Sequence, residues 1–174
     1  MEIKQKNGLP LQEIDKSLFK ITVSKMTFKE KVYNYYLQQV NYKISQLQLV
    51  LADLKESGAN ETKSTAGDKH ETALAMLQIE QENKRIQLKE AQQQLAVLQK
   101  INPGLSPVTI VSGSLIKTNM GYLFLSIAGG KAMIENNTVM AISPQSPLGQ
   151  LVNGKKEGDT VSINTTHYII GQIE

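Results

Sequence analysis

Two long stretches with heptad spacing constrain the fold of this chain more than any other feature. In the first, apolar residues recur at alternating steps of four and three, at Tyr33, Leu37, Val40, Ile44, Leu47, Leu51 and Leu54. In the second, the spacing holds although the middle is polar, at Leu74, Leu77, Gln81, Lys84, Leu88, Ala91, Leu95 and Leu98. Because neither stretch contains Pro or Gly, the pattern predicts two α-helices, each with one apolar stripe.

The segment between the stretches, Glu56–Asp68, reads "ESGANETKSTAGD" and contains two glycines among small polar residues. Such a composition predicts a loop, which we place at about residues 57–68. Two helices with single apolar stripes, joined by a modest loop, should pair as an antiparallel hairpin. About 30 residues per helix give an arm of roughly 45 Å. Since this arm is too thin to bury a core, we expect it to protrude from another unit.

The first helix is predicted to open at Thr27, where Thr-x-x-Glu forms a capping box with Glu30. Residues 1–26 show no clear period, and we expect a flexible leader, with Met26 as an alternative start. The leader lacks a signal-peptide core, and no apolar run reaches the length of a membrane span. We therefore expect a cytoplasmic protein divided into 1–26, an arm over 27–102, and a domain over 103–174.

The domain over 103–174 follows "INPGLSP", whose prolines end the second helix. Alternating and β-branched patterns then predict about five strands, punctuated by Gly and Asn. These strands are placed at 108–118, 121–128, 131–143, 159–164 and 167–173. "PLGQLV", residues 147–152, predicts one short helix with Pro at its first position. The fold class is therefore α+β, a long antiparallel coiled-coil hairpin followed by a small β-sheet domain with one short helix.

The composition excludes several classes of function. The chain has no cysteine, which rules out disulfides, thiolate metal sites and cysteine nucleophiles. The net charge is +3, and the excess lies N-terminal to Val108, because the rest carries four lysines and four acidic residues. With Arg85 as the only arginine and no dense basic run, direct nucleic-acid binding is poorly supported.

The most specific motif is "SPQSPLGQLVNGKKEGDTVSIN", residues 143–164. It resembles the C-terminal domain of bacterial Gre-type transcript-cleavage factors, and the order of coiled coil and β-rich domain agrees with that family. The matching residues are Ser146, Pro147, Leu148, Leu151, Gly154, Lys155, Gly158 and Asp159. The resemblance implies an FKBP-like domain without isomerase activity. It also makes these residues, apart from Leu151, candidates for partner binding.

The same residues have a purely structural interpretation. Ser146 is suited to cap the short helix, and Pro147 suits its first turn. Gly154 is suited to end that helix in a left-handed conformation. Gly158 and Asp159 are expected to form the turn into the next strand.

In Gre-type factors the tip of the coiled coil carries an Asp and a Glu three residues later. The resemblance therefore implies that Asp68 and Glu71 act as tip carboxylates inside the secondary channel of RNA polymerase. There they would help to hold a Mg²⁺ ion shared with the polymerase and stimulate cleavage of backtracked RNA. Carboxylates suit this role because Mg²⁺ prefers hard oxygen ligands. The resemblance implies no tightly bound cofactor, and it implies a chain that activates an enzyme rather than being one.

A second pair, Asp53 and Glu56, has the same spacing. Position favours Asp68 and Glu71, because Leu54 belongs to the first apolar stripe and Asp53 should lie on an intact helix. From the local sequence, Asp68 and Glu71 are also a plain helix start, with both charges suited to the positive helix end. His70, between them, is expected to be a solvated residue.

Two alternative functions stay open. The first is a Gre-like regulator that binds polymerase without stimulating cleavage. It is suggested by the long tip loop and by the residues after Glu71, which differ from the tip sequence usual in the family. A coiled-coil scaffold for protein association is the other, because packing explains every helical feature.

Four tyrosines, Tyr33, Tyr35, Tyr36 and Tyr42, are expected to pack at the base of the arm rather than to stack on bases. His167 is expected to be an ordinary strand residue.

Overall fold

The computed structural model describes residues 26–61 and 68–174, and the side chains of residues 26–58 and 72–174. Its elements are two long helices, a six-stranded mixed sheet and one short helix. This arrangement confirms the α+β class. The predicted leader before Met26 lies outside the described residues. Within the described residues, no helix combines the length and the hydropathy that a transmembrane span requires.

Helix α1 spans Phe28–Glu61 and helix α2 spans Asp68–Leu98. The predicted capping box opens α1. The Thr27 hydroxyl accepts a hydrogen bond from the Glu30 N–H at 3.2 Å, and the Glu30 carboxylate accepts one from the Thr27 N–H at 2.7 Å. Thr27 is therefore the capping residue, and the helix proper begins at Phe28.

The predicted tip loop at 57–68 was too long, because α1 continues through Gly58 to Glu61. A glycine inside a helix costs only about 1 kcal/mol, and the partner helix covers this turn. The Gln81 side-chain amide donates to the Leu54 carbonyl at 3.1 Å. A Cβ atom at Gly58 would lie 3.9 Å from the same amide nitrogen. The local sequence marks the glycine as a helix breaker, but the helix continues through it beside the partner helix. Residues 62–67 lie outside the described part.

Each predicted apolar stripe lies on the side of its helix that faces the partner helix. Every stripe residue is buried or half-buried, and Val40, Leu47, Ala91 and Leu98 are the most buried. On the opposite face of α2, Met76 and Ile79 are largely exposed. Gln81 contacts Leu54 toward the tip and Leu98 shares a core with Val40 at the base, so the two helices run antiparallel. At about 1.5 Å per residue, α1 is roughly 50 Å long.

The sheet contains β1 (Leu115–Thr118), β2 (Gly121–Leu125), β3 (Gly130–Ile134), β4 (Asn137–Ile142), β5 (Thr160–Ile163) and β6 (Thr166–Ile173). Their order is β3-β4-β2-β1-β6-β5, and all neighbours are antiparallel except β2 and β4, which are parallel. The short helix α3, Pro147–Val152, begins and ends at the predicted residues.

Two predicted strands differ from the structure. The segment 131–143 is a hairpin of two strands, because Glu135 and Asn136 both have positive φ, at 48° and 64°. Two consecutive residues of this kind form the tight turn that suits the twist of paired strands. The segment 108–118 contains a strand only from Leu115, because Gly113 has a φ of 93° and breaks the extended backbone.

The sheet carries one apolar core on each face. Alternate residues of a strand point to opposite faces, so Phe124 joins one core while Leu123 and Leu125 join the other. The first core packs against the start of α1 and the end of α2, including Tyr36 and Leu98. The second core packs against α3. The arm is thereby fixed to one face of the sheet.

Candidate functional site

The base of the arm is fastened to the sheet by Tyr36. Its hydroxyl lies within donating distance of two carbonyls, Gly130 at 2.9 Å and Val139 at 3.2 Å. The same hydroxyl accepts a hydrogen bond from the Ala141 N–H at 3.3 Å. Its ring stacks on Phe124 with the centroids 6.1 Å apart. Because the side chain is only 2% exposed, these contacts fix the direction in which the arm leaves the sheet.

Gly129 permits this close approach of helix and sheet. A Cβ atom at Gly129 would lie 2.8 Å from Cδ1 of Tyr36 and 3.0 Å from Cβ of Ala141. Any larger residue would push α1 away from the strand. The sequence analysis missed Gly129, because no local pattern marks a contact with a helix so far back in the chain.

The expectation for the four tyrosines holds for three of them. Tyr36 is buried, and Tyr33 and Tyr35 are half-buried against the same core. The expectation was wrong for Tyr42, which is 64% exposed. Tyr42 follows the stripe residue Val40 by two positions, which turns it about 200° around the helix and away from the partner.

The ionisation of Tyr36 offers a test of this contact. Burial raises the pKa of Tyr36 to about 12, against about 10 for an unfolded tyrosine. The neutral phenol is therefore the form that the fold favours. Its contribution to stability is complete below about pH 10 and is lost as the pH rises through about 12. The six tyrosines can be titrated by their near-ultraviolet absorbance. We expect one ionisation step near pH 12, and this step should be absent in Tyr36→Phe. A late phase that persists in the variant would assign it to another residue.

Two lysines add contacts at the first turn of α1. Lys29 is 3% exposed and its ammonium donates to the Leu105 carbonyl. Burial lowers the pKa of Lys29, and the charge of Glu174 opposes that shift. Lys31 forms an ion pair with Glu135 at 2.7 Å, in the turn between β3 and β4. This exposed pair contributes little to stability, but it joins the helix to the edge of the sheet.

At the far end of the arm, α2 begins at Asp68, and Glu71 falls within its first turn. The side chains of both residues, and of His70, lie outside the described part, so their role at the tip stays a prediction. The competing pair, Asp53 and Glu56, is exposed and lies on α1 well before its end. This placement agrees with the expectation that Asp53 sits on an intact helix.

The corner around α3 has the structural features expected from its sequence. Ser146 has an extended backbone and its hydroxyl accepts a hydrogen bond from the Gly149 N–H at 3.1 Å. Pro147 occupies the first helical position, and Leu148 is buried in the second core. Gly154 has a φ of 77°, and its N–H donates to the Ile110 carbonyl at 2.7 Å. The cap and the first turn are thus confirmed. Gly154 has the expected left-handed conformation, but the helix already ends at Asn153, whose backbone is not helical (ψ 131°).

The turn after α3 is also as expected. Lys155 is exposed, and its carbonyl accepts from the Ile110 N–H at 2.9 Å. Gly158 has a φ of 89° and donates to the Ile170 carbonyl at 2.8 Å. The Asp159 carboxylate accepts from the Lys156 N–H at 2.9 Å. These contacts tie the turn to the last strand, and a partner-binding role for the same residues stays a prediction.

The Ser146 cap can be tested by stability. In Ser146→Ala we expect the free energy of unfolding to fall by about 1 kcal/mol, because the Gly149 N–H loses its acceptor. Urea denaturation measures this. Ser106→Ala, at an exposed position of the linker, is the matched control and should change stability by less than about 0.5 kcal/mol. Equal effects in the two variants would mean that the cap contributes nothing.

His167 is a strand residue, as expected. Its Nδ1 lies 2.7 Å from the Ser162 hydroxyl, and the two residues face each other across β5 and β6. This is a cross-strand hydrogen bond on an exposed hairpin. No acidic residue forms an ion pair with His167 among the residues that the structure describes, so the pair lacks the third member of a catalytic triad.

The described residues define a class of α+β proteins in which a two-helix arm is fixed to one face of a six-stranded mixed sheet. Among solved structures, the chain is similar to one described as "Structure of the transcription factor Gfh1". The match has 18% identity and a TM-score of 0.30, and covers 81% of this chain and 92% of that chain. A TM-score this low does not establish a common fold. No protein-family model matches the chain, and no curated protein matches it.

Proposed function

We propose that this chain is a Gre-like transcription elongation factor. In this proposal it binds RNA polymerase in the cytoplasm, and its arm enters the secondary channel. Asp68 and Glu71 then stimulate the Mg²⁺-dependent cleavage of backtracked RNA by the polymerase. The sheet domain, with its Ser146–Asp159 corner, is FKBP-like and contacts the polymerase outside the channel. The chain itself carries no complete active site.

The observation that carries the proposal is the reach of the arm together with the position of the acidic pair. Ile44 is the last residue of α1 that packs near the sheet core. From there to Glu61 the helix extends about 26 Å, and α2 returns with Asp68 and Glu71 in its first turn. A narrow arm with acidic residues at its end is the shape that a deep, narrow channel admits.

The rigidity of the base supports the same proposal. A carboxylate at the end of a long lever acts at a defined point only if the lever is held at a fixed angle. Tyr36, held by three backbone groups of the sheet, provides that hold. The Lys31–Glu135 ion pair adds a second attachment on the same side.

The donor set fits a shared ion rather than a resident one. Asp68 and Glu71 supply hard oxygen ligands, but two carboxylates do not fill the octahedral shell of Mg²⁺. The remaining ligands would come from the polymerase, the RNA and water. When bound, such an ion supplies an activated water and neutralises charge on the phosphate. The part of this chain is to position the two carboxylates.

The proposal is tested with stalled, backtracked elongation complexes in the presence of Mg²⁺, by following the shortening of the RNA. We expect shortening with the unchanged chain and a rate at least about tenfold lower in Asp68→Asn or Glu71→Gln, as for the loss of a metal ligand. Binding to the polymerase should be retained. Asp53→Asn and Glu56→Gln are the matched controls and should cleave normally.

Three other outcomes change the conclusion. Shortening that survives the changes at Asp68 and Glu71 but is lost with Asp53→Asn or Glu56→Gln would move the working tip to α1. Polymerase binding without shortening would favour a regulator that occupies the channel without stimulating cleavage. The residues that follow Glu71, "TALAM", motivate this second candidate, because they differ from the usual tip sequence of Gre-type factors. If the chain did not bind polymerase at all, the remaining candidate function would be a coiled-coil scaffold for protein association.

A further inference from the structure

A small cavity lies between the first turn of α1 and the linker that joins α2 to β1. Its volume is about 180 Å³, which is below the size of a typical pocket for a drug-sized ligand. It therefore suits a group of a few atoms. Its lining residues from the linker include Asn102, Leu105, Pro107 and Val111.

Lys29 is a buried cation in the lining of this cavity. The side chain is 3% exposed and lines the cavity. Of its three N–H donors, one bonds to the Leu105 carbonyl, and among the described residues no second acceptor bonds to it. Burying a charged group without a full set of partners is unfavourable. The geometry therefore leaves two donors for a group inside the cavity.

The charges around the cavity favour an anion. Lys100 is a second cation in the lining, and no aspartate or glutamate is among the described lining residues. The negative charge of Glu174 raises the pKa of Lys29 against the larger, opposing effect of burial. Glu174 does not lie within ion-pair distance of Lys29 in the described structure.

Asn102 contributes a further donor. Its side-chain oxygen accepts a hydrogen bond from the Gly104 N–H at 3.0 Å. This bond orients the amide and leaves the NH₂ group able to donate. Two cations and an amide donor around a small volume, with apolar walls from Ile101, Pro107 and Val111, match the recognition of a small oxyanion.

We propose that this cavity is an oxyanion-binding site, which takes the phosphate or carboxylate group of a small ligand through Lys29, Lys100 and Asn102. The site is independent of the acidic tip and of any contact with polymerase. Because Lys29 belongs to α1 and the other donors to the linker just after α2, an anion bound between them would join the first turn of α1 to this linker. Binding therefore stabilises the base of the arm.

The test is a pair of nuclear magnetic resonance titrations of the full chain at constant ionic strength. Inorganic phosphate is added in the first titration and acetate in the second. We expect saturable shifts at the amides of Leu105, Ser112 and Gly113 with at least one of the two ions. Phosphate or acetate, whichever saturates, identifies the chemistry of the ligand. Loss of a charge-assisted hydrogen bond in Lys29→Met should weaken that binding at least about tenfold.

The control is Lys131→Met, at an exposed lysine on β3 that does not line the cavity, and it should bind like the unchanged chain. If Lys29→Met does not fold, Lys100→Met replaces an exposed side chain and should weaken binding severalfold. Shifts that do not saturate with either ion would overturn the proposal. Equal affinity in the unchanged chain and in the Lys29 or Lys100 variant would overturn it as well.

Discussion

Replacing Tyr36 with alanine is expected to lower the free energy of unfolding by about 3–5 kcal/mol, the cost of removing a large aromatic side chain from a packed core. Tyr36 is one of the largest fully buried side chains, and it stacks on Phe124. Its loss would open a cavity between α1 and the sheet. It would also leave the Ala141 N–H without its hydroxyl acceptor. Chemical denaturation followed by circular dichroism measures the effect.

A second substitution at this position separates the ring from the hydroxyl. Tyr36→Phe keeps the ring but removes the hydrogen bonds of the hydroxyl to the sheet backbone, and should cost about 1–3 kcal/mol. Tyr42→Ala, on the exposed side of the same helix, is the matched control and should change stability by less than about 0.5 kcal/mol. If Tyr36→Ala cost no more than Tyr42→Ala, the arm would not be fastened to the sheet at this point.

The second large effect is expected at Gly149 in the short helix α3. A Cβ atom there would lie 2.0 Å from the Ser143 carbonyl oxygen and 3.0 Å from the Pro144 Cα. Both contacts are with backbone, which cannot rotate away as a side chain does. We therefore expect Gly149→Ala to lower the free energy of unfolding by about 3 kcal/mol. The same denaturation measurement applies, and the loss should exceed that of Ser146→Ala.

Gly154→Ala is the matched control, because it tests conformation without crowding. Gly154 has a φ of 77°, and a Cβ atom there would meet nothing within 4 Å. The cost should be the strain of a left-handed alanine, about 1–2 kcal/mol. A smaller loss for Gly149→Ala than for Gly154→Ala would show that the corner moves easily, against the contacts described above.

The sequence predicts the helical arm well because its signal is local. A repeat of three and four residues specifies which side of each helix is buried, whatever follows in the chain. The signal for the α3 corner is likewise local, since the Ser146 hydroxyl accepts its hydrogen bond from Gly149, only three residues later. The prediction failed at Gly58, which lies inside α1 beside Gln81 of the other helix, although glycine locally favours the end of a helix.

The sheet order and the particular contacts at the arm base were not predicted, because they depend on residues far apart in the chain. Nothing in the strand patterns indicates that β2 pairs parallel to β4. Nothing local distinguishes buried Lys29 from the exposed lysines, so the cavity beside it was missed. For the tip, the resemblance supplied Asp68 and Glu71, while charge and spacing alone would also admit Asp53 and Glu56.

The Tyr36 contacts also bear on how the chain is synthesised. Its partners Gly130, Val139 and Ala141 follow it by 94, 103 and 105 residues. At translation speeds of about 5–20 residues per second, they leave the ribosome roughly 5–20 s after Tyr36. The two helices have time to zip together first, with the apolar side of their lower turns still wet. Until the strand β4 has been synthesised, the nascent hairpin exposes apolar surface that favours aggregation.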